Sequence, residues 1–258
     1  MIKAVFFDID GTLVSFKTHK LPDSTVRALD LLREKGIKVF IATGRQLQSI
    51  NNLGTQEFDG YVTLNGGYCL AGKDKVIYKH NIPSGDIEAL IRYQENEEAF
   101  PCALVEEDGI YQNYVDDSVR QLYDMLDFPH PPLRPLRGNG GKEVYQLIAF
   151  FSPGHEERIM SVLPHCEATR WNPLFADVVP RGSSKAVGID KIIEYYGISL
   201  HETMAFGDGG NDMAMLCHAG IGVAMDTAAP ETLAAADLTA PSNEEDGVAQ
   251  ILSRWFPP

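Results

Sequence analysis

Two aspartates separated by a single residue are the first side chains in the sequence that could do chemistry. Asp8 and Asp10 follow residues 2–7, an apolar run typical of a buried strand in a parallel sheet. Residues i and i+2 of an extended backbone point the same way, so both carboxylates can face one reacting centre. One could attack an electrophile while the other transfers the leaving-group proton and later activates water. A capped turn after the strand is the alternative interpretation.

Acidic residues also indicate a site for a divalent cation. Two carboxylates this close repel each other, and a small set of oxygen ligands suits Mg²⁺, which keeps some waters and takes a substrate phosphate oxygen. A second acidic stretch, Gly207-Asp208-Gly209-Gly210-Asn211-Asp212, follows a predicted strand near the other end of the chain. Asp208 could complete the metal site, while Asn211 and Asp212 could orient a phosphate or a lysine. A glycine-rich turn into a helix is the alternative here.

Two further groups could bind phosphate oxygens. Thr43-Gly44-Arg45 follows a second predicted buried strand at residues 37–42, and the Thr43 hydroxyl and the backbone amides of such a turn suit a phosphate. An ordinary helix N-cap is the alternative for Thr43. Lys185 would offset negative charge beside carboxylates and a phosphoryl group, although a solvated lysine is the simpler interpretation of that residue alone.

The elements around these groups predict an α/β fold with a Rossmann-like parallel sheet. Strand and helix patterns alternate in residues 1–82 and again in residues 182–258, as in right-handed βαβ units. In the second segment they predict a helix at residues 185–196 and a strand at residues 221–225. Ligands of such sheets bind outside the carboxyl ends of the strands, where the candidate groups lie. Residues 83–181 instead combine hairpins and helices, and predict an inserted α+β domain. The predicted helices are at 86–96, 117–126 and 156–163, and the predicted strands are at 103–106, 110–114, 144–151 and 176–179, with a further strand near 169. The proline-rich stretch at 129–135 and residues 138–141 after it can form neither helix nor strand.

Composition excludes several classes of function. The 258 residues include 36 acidic and 22 basic side chains, a net charge of −14 that argues against binding to a nucleic-acid backbone. No GxGxxG follows the first strand, which argues against a Rossmann nucleotide binder. The four cysteines are far apart and are expected to be reduced, mostly buried thiols. No apolar run is long enough for a membrane span, and an acid comes too early for a signal peptide, so we expect a cytoplasmic protein.

Together the four groups resemble the four signatures of the haloacid dehalogenase (HAD) superfamily. The matching residues are Asp8-x-Asp10-Gly11-Thr12, Thr43-Gly44-Arg45, Lys185 and Gly207-Asp208-x-x-Asn211-Asp212. The chain is most similar to the Cof-type phosphatases, which carry a class IIB α/β cap between the second and third signatures. The resemblance implies that residues 1–82 and 182–258 form the catalytic core and that residues 83–181 form the cap. Gly67 departs from the alanine that relatives often have after Asn-Gly.

The resemblance implies a Mg²⁺-dependent phosphatase that acts on a small phosphorylated metabolite, with sugar phosphates as the preferred class. Asp8 would form an aspartyl-phosphate and Asp10 would be the general acid and base. Mg²⁺ would be held by Asp8, the backbone carbonyl of Asp10 and Asp208. The phosphoryl group would be bound by Thr43, Gly44, Lys185 and Asn211, with Asp212 supporting Lys185. A phosphomutase of the same superfamily and a catalytically weak metabolite-binding regulator remain as alternatives.

Substrate specificity is expected to depend mainly on the cap. Residues 170–177 combine aromatic side chains with hydrogen-bonding groups suited to a polyol. The predicted specificity residues are Asn65, Arg170, Trp171, Phe175 and Asp177. The alternative is that Trp171 and Phe175 belong to the core of the cap. The expected partner is a small phosphorylated metabolite, and no binding to nucleic acid or to a membrane is expected. The protein is expected to be a monomer or a small homo-oligomer.

Overall fold

The structure is a computed structural model that describes residues 1–170 and 172–257. The chain divides into two compact units. Unit 1 comprises Met1–Lys79 and Ser184–Pro258, and unit 2 comprises His80–Ser183. The predicted insertion, residues 83–181, falls within unit 2.

Strands and helices alternate along most of the chain. The strands are β1 (Ala4–Phe7), β2 (Lys38–Ala42), β3 (Gly60–Thr63), β4 (Tyr68–Ala71), β5 (Lys75–Lys79), β6 (Cys102–Glu106), β7 (Ile110–Gln112), β8 (Val144–Ala149), β9 (Cys166–Thr169), β10 (Ala176–Pro180), β11 (Thr203–Gly207), β12 (Ile221–Met225) and β13 (Leu238–Ala240). The α-helices are α1 (Asp23–Glu34), α2 (Ser84–Asn96), α3 (Asp117–Leu126), α4 (Glu156–Val162), α5 (Lys185–Tyr196), α6 (Met213–His218), α7 (Pro230–Ala234) and α8 (Gly247–Trp255). None of these described helices is long and apolar enough to cross a membrane.

Unit 1 is built on an eight-stranded sheet in the order β13-β12-β11-β1-β2-β3-β4-β5. The strands from β13 to β3 pair in parallel, which confirms the predicted parallel sheet. β4 and β5 extend it as an antiparallel hairpin, and the sequence patterns did not predict this hairpin. β5 is a half-exposed edge strand with a lysine at each end, so it lacks the continuous apolar run that marks the buried strands.

Both faces of the sheet are buried around β1, which explains its unbroken apolar sequence. Val5 and Phe7 lie in one apolar cluster with residues of α1 and α8. Phe6 lies in a second cluster with residues of α5 and α6, and its ring stacks on Phe40 with centroids 4.8 Å apart. Successive side chains of a strand point to opposite faces, so the two clusters are the two sides of one layer. The strand predicted within residues 2–7 is confirmed.

The ends of α1 and α5 follow signals that are visible in the sequence. α1 begins directly after Pro22, and Gly36 follows its end with a φ of +73°. α5 covers the predicted residues 185–196, and its N-cap residue Ser184 accepts a hydrogen bond from the Val187 amide at 3.2 Å. α5 ends at Gly197 in the left-handed conformation. Lys185 is therefore the first helical residue after a capped turn.

Unit 2 is an α+β unit with a five-stranded antiparallel sheet in the order β7-β6-β8-β10-β9. One face of this sheet packs on α2 and α4 through an apolar cluster that includes Leu104, Leu147 and Val178. Most predicted elements of this region are confirmed to within a few residues at each end. An N-cap aspartate, Asp116, starts α3 by accepting hydrogen bonds from two backbone amides.

The proline-rich stretch in unit 2 departs from its prediction, which excluded both helix and strand. Leu133 forms a parallel bridge with Gln112, and Leu136–Asn139 forms a short 3₁₀ turn. The Gln112 amide donates to the Pro132 carbonyl at 3.1 Å, and its carbonyl accepts from Arg134 at 2.9 Å. Proline lacks an amide hydrogen but keeps its carbonyl, so it can flank a single paired residue. The expectation for this stretch was therefore wrong in part.

The four cysteines are free thiols, as the sequence suggested. Cys69, Cys102 and Cys166 are buried, whereas Cys217 is exposed. Burial raises the pKa of Cys69 and of Cys102 to about 12, so these two thiols stay protonated at neutral pH. Buried, protonated cysteines act as small apolar side chains of the core.

Candidate active site

The polar groups of unit 1 follow three adjacent strands. Asp8 follows β1, Thr43 follows β2, and Asp208 follows β11. β1 pairs in parallel with both β11 and β2, so these strand ends lie side by side at one edge of the sheet. This is the edge at which open α/β sheets bind ligands.

Lys185 is fully buried and joins two carboxylates. Its Nζ lies 2.6 Å from Asp8 Oδ1 and 2.5 Å from Asp212 Oδ1. Burial opposes the charge of the ammonium, but the carboxylates of Asp212 and Asp8 outweigh that effect and raise the pKa of Lys185 above its ordinary value. The lysine therefore stays protonated, and the simpler interpretation of it as a solvated side chain is wrong.

Asp212 organises the turn that carries Asp208. Its Oδ2 accepts hydrogen bonds from the amides of Asp208 at 3.0 Å and Gly209 at 2.9 Å. Gly207 is needed at the start of this turn, because a Cβ there would lie 2.5 Å from Asp212 Cβ. Both oxygens of Asp212 are thus engaged, one by the lysine and one by the backbone.

An acidic cluster surrounds this buried lysine. Oxygens of Asp8, Asp208 and Asp212 all lie within 4.8 Å of one another. Burial raises the pKa of Asp8 well above its ordinary value, with Lys185 opposing the shift. Burial, together with the charge of Asp212, raises the pKa of Asp208 to about 7, although Thr12 donates a hydrogen bond to Asp208 Oδ1 at 2.8 Å. Crowded negative charge of this kind is relieved by a cation.

The donor set of the cluster fits Mg²⁺. Carboxylate oxygens are the ligands that this hard cation prefers. Asp8 and Asp208 are the better placed of the three acids, because Asp212 already uses both oxygens. The sequence prediction also included Asp10 through its backbone carbonyl, and the side chain of Asp10 is not part of the cluster.

Arg45 holds the second aspartate of the first signature. Its Nε donates to Asp10 Oδ2 at 2.6 Å, and its second terminal nitrogen contacts Asp10 Oδ1. The guanidinium is buried and also donates to the Ser49 carbonyl at 3.2 Å. Arg45 belongs to the Thr43-Gly44-Arg45 motif, and no role was predicted for it. A charged residue in the turn three positions after a buried strand was the signal that could have identified it.

The remaining predicted phosphate ligands lie in two neighbouring turns. Thr43 is buried, and its hydroxyl oxygen accepts a hydrogen bond from the Arg45 amide at 3.1 Å. Gly44 is partly buried in the same turn. Asn211 is partly buried and donates its side-chain amide to Asn65 Oδ1 at 3.0 Å. Asn65 was predicted as a specificity residue, and the structure places it beside this phosphate-binding candidate.

The other predicted specificity residues belong to unit 2. Arg170 is ion-paired with the first glutamate of α4 at 2.7 Å. Phe175 is buried in an apolar cluster with residues of α3, which is the core position left open as its alternative. Asp177 is buried on β10 and accepts a hydrogen bond from the Gln146 amide at 2.8 Å. Trp171 lies outside the described residues. The specificity role of these residues stays a prediction.

Fold and site together define an α/β protein with buried acids and a buried lysine at the carboxyl edge of a parallel sheet. Residues 5–252 match the haloacid dehalogenase-like hydrolases, and the chain belongs to this family. The family predicted from the four signatures is therefore confirmed.

Similar proteins support a phosphatase within this family. The YkrA protein of Bacillus subtilis (strain 168) is 35% identical over 252 residues, which cover 96% of this chain and 95% of that protein. The structure of the HAD subclass IIB sugar phosphatase BT4131 matches with a TM-score of 0.91 and 43% identity over 98% of both chains. A structure from work on a trigonal-bipyramidal intermediate in a phosphoryl-transfer superfamily matches with a TM-score of 0.94 and 44% identity over 99% of both chains. The chain is a phosphatase of the HAD-like family.

Proposed function

We propose that this phosphatase hydrolyses phosphate monoesters of small metabolites, with sugar phosphates as its substrate class, in a Mg²⁺-dependent reaction. The observation that carries the proposal is the buried ammonium of Lys185, which contacts Asp8 within an acidic cluster. A carboxylate held by a fixed positive charge can attack phosphorus while that charge stabilises the phosphoryl oxygens. Similarity to the sugar phosphatase BT4131 supports the substrate class.

Each residue then has a defined step. A carboxylate oxygen of Asp8 forms a bond to phosphorus as the ester oxygen leaves. Asp10 gives its proton to the leaving alcohol and then takes a proton from the water that hydrolyses the aspartyl-phosphate. Arg45 pairs with the Asp10 carboxylate, and Asp10 must take up a proton before it can act as the acid. Asp212 keeps Lys185 oriented toward Asp8.

Four polar groups bind the phosphoryl oxygens. These are the Thr43 hydroxyl, the Gly44 amide, the Lys185 ammonium and the Asn211 amide. Asp8, Asp208 and the Asp10 backbone carbonyl would hold Mg²⁺, which when bound supplies positive charge to the phosphoryl oxygens. The resulting site recognises the phosphate that all substrates share.

A phosphate-release screen tests this proposal. We expect the wild type to release inorganic phosphate from some members of a panel of hexose, pentose and triose phosphates when Mg²⁺ is present. Release without a bisphosphate activator distinguishes hydrolysis from mutase chemistry. We expect Asp8→Asn to lower turnover by ~10³-fold or more, because it removes the nucleophile. Asp226→Asn, an exposed aspartate directly after β12, is the matched control and should keep wild-type turnover. Near-normal turnover of Asp8→Asn would overturn the assignment.

The role of Asp10 gives a separate kinetic test. p-Nitrophenyl phosphate has a leaving group that needs no proton, so Asp10→Asn should still form the aspartyl-phosphate from this substrate. Hydrolysis of that intermediate should be slow, because water lacks its general base. Rapid-mixing measurements should therefore show a burst of about one nitrophenolate per site, followed by slow release. Linear release without a burst, at the wild-type rate, would show that Asp10 is not the general base. Wild-type turnover of a sugar phosphate by the same variant would show that it is not the general acid.

A further inference from the structure

Three consecutive residues between β3 and β4 adopt the left-handed conformation. The φ angles are +52° at Leu64, +52° at Asn65 and +91° at Gly66. Residues other than glycine rarely adopt this conformation, and such backbone is kept where surrounding contacts hold it in place. This left-handed turn, residues 64–66, is absent from the four signatures that the proposed function uses.

The backbone of the left-handed turn contacts two of the signature loops. The Leu64 amide donates to the Arg45 carbonyl at 3.2 Å, and the Asn65 amide donates to the Thr43 carbonyl at 3.2 Å. Gly66 lies directly against Ser184, because a Cβ on Gly66 would come within 1.9 Å of the Ser184 carbonyl oxygen. The turn therefore touches both the second signature and the residue that precedes Lys185.

The side chain of the central residue contacts a third signature loop. Asn65 is only 2% exposed, and its Oδ1 accepts a hydrogen bond from Asn211 Nδ2 at 3.0 Å. This bond uses one of the two amide hydrogens of Asn211. It also fixes the rotation of the Asn211 amide plane, and so the direction of the other hydrogen.

We propose that Asn65 is a positioning residue of the phosphate site, which holds Asn211 in the orientation that presents its second amide hydrogen to the phosphoryl group. This inference rests on the proposed function, since it takes Asn211 as a phosphate ligand. It replaces the specificity role predicted from the sequence. A residue that acts through Asn211 affects the phosphate, which every substrate carries, and leaves the choice among sugars unchanged.

Asn65→Gly is the variant that isolates the side chain. Glycine adopts positive φ readily, so the backbone of the turn is kept while the amide is lost. Asn65→Ala removes the same amide but places a Cβ at positive φ, so it serves as a second variant that is expected to be less stable than Asn65→Gly. Asn51→Gly, at an exposed asparagine of the same unit, controls for the substitution itself. Thermal melting confirms that each variant is folded.

Two measurements separate positioning from specificity. We expect Asn65→Gly to weaken binding of inorganic phosphate, measured by calorimetry with Mg²⁺, by about 5- to 20-fold. We expect kcat/KM to fall by a similar factor for a hexose phosphate and a triose phosphate, so that their ratio stays at the wild-type value. Wild-type phosphate binding in Asn65→Gly would overturn the inference, and so would a changed ratio of the two kcat/KM values.

A double-mutant cycle tests whether the effect passes through Asn211. If Asn65 acts by orienting Asn211, then Asn65→Gly should cause little further loss in an Asn211→Ala background. Losses that multiply would show independent actions and would contradict the proposal. A wild type that neither releases phosphate from esters nor binds inorganic phosphate would instead refute the proposed function, and the inference with it. The wild-type measurement alone therefore distinguishes the two failures.

Discussion

At the scale of single residues, the site is governed by charge buried at the end of a sheet. Lys185 has no exposed surface and lies between Asp8 and Asp212. Removing one partner of a buried ion pair leaves an uncompensated charge, so each member depends on the others. Asp208 adds a further carboxylate to the same place, and burial holds its pKa at about 7.

The pKa of Asp208 predicts how stability changes with pH in metal-free protein. The pKa is raised to about 7 in the folded protein, whereas an aspartate of the unfolded chain titrates near ~4. The folded state therefore binds this proton more tightly, and the resulting stabilisation is complete below pH ~4 and is lost as pH rises through ~7. The shift of Asp8 has the same sign. We expect the melting temperature in chelator to fall between pH 5 and pH 8.

Asp208→Asn is the control for this pH dependence. Asparagine keeps the shape of the side chain without its charge, so the fall in melting temperature should be smaller in the variant. Mg²⁺ should also raise the melting temperature of the wild type more at pH 8 than at pH 5, since protons compete for its ligands. Equal pH slopes in both proteins would show that Asp208 does not titrate in this range.

At the scale of elements, close packing of α5 on the sheet places Lys185. Gly188 lies in the second turn of α5, and a Cβ there would come within 2.2 Å of Val62 Cγ1 in β3. The helix can approach the strand this closely only because Gly188 has no side chain. The position of the lysine thus depends on a glycine that has no chemical role.

Gly188→Ala should destabilise the protein although alanine favours helix. The gain in helix propensity is about 1 kcal/mol, whereas forcing a methyl group into a packed core costs about 1–3 kcal/mol. We expect the melting temperature to fall by about 2–6 °C. In Gly188→Ala/Val62→Ala the smaller partner should relieve the clash, so the two losses should not add.

Gly85→Ala is the matched control for this helix substitution. Gly85 lies in the first turn of α2, and a Cβ there would meet no atom within 4 Å. The substitution should leave the melting temperature unchanged or raise it slightly, because it reduces the freedom of the unfolded chain. A loss at Gly85 equal to that at Gly188 would show that packing on Val62 is not the cause.

The elements differ in how well the sequence predicted them. α5 and β12 matched their predicted bounds, because a capping serine, a terminal glycine and an unbroken apolar run are local signals. The hairpin of β4 and β5 was missed, because its edge strand is half-exposed and has no continuous apolar run. This strand is stabilised by pairing with β4. Leu133 was missed for the same reason, since a distant glutamine provides its partner.

At the scale of the whole molecule, the negative net charge of the protein opposes the binding of an anionic substrate. The chain carries 36 acidic and 22 basic side chains, a net charge of −14. Residues 83–181 hold 17 of the acids and 8 of the basic residues. A phosphate dianion that approaches such a protein depends strongly on positive charge concentrated at the site. Lys185 supplies one such charge, and a bound cation would supply more.

Removal of Mg²⁺ should therefore weaken substrate binding strongly. A non-hydrolysable phosphonate analogue of a sugar phosphate should bind at least ~10-fold more weakly in excess chelator than with Mg²⁺. Calorimetry at fixed ionic strength measures this directly, because no turnover is needed. The Asn51→Gly control should respond to chelator as the wild type does. Unchanged affinity in chelator would show that Lys185 and the amides bind phosphate without a metal.

The sequence by itself determined the α/β core, the inserted α+β region and the four groups that carry the chemistry. These depend on apolar periodicity, caps and short motifs, all of which act between residues close in the chain. Only the tertiary structure decided which partners those groups take. Arg45 pairs with Asp10, Thr12 with Asp208, and Asn65 with Asn211, each across a separation of 35 residues or more. Such contacts are set by strand order and by the close approach of backbones, which no local pattern of residues encodes.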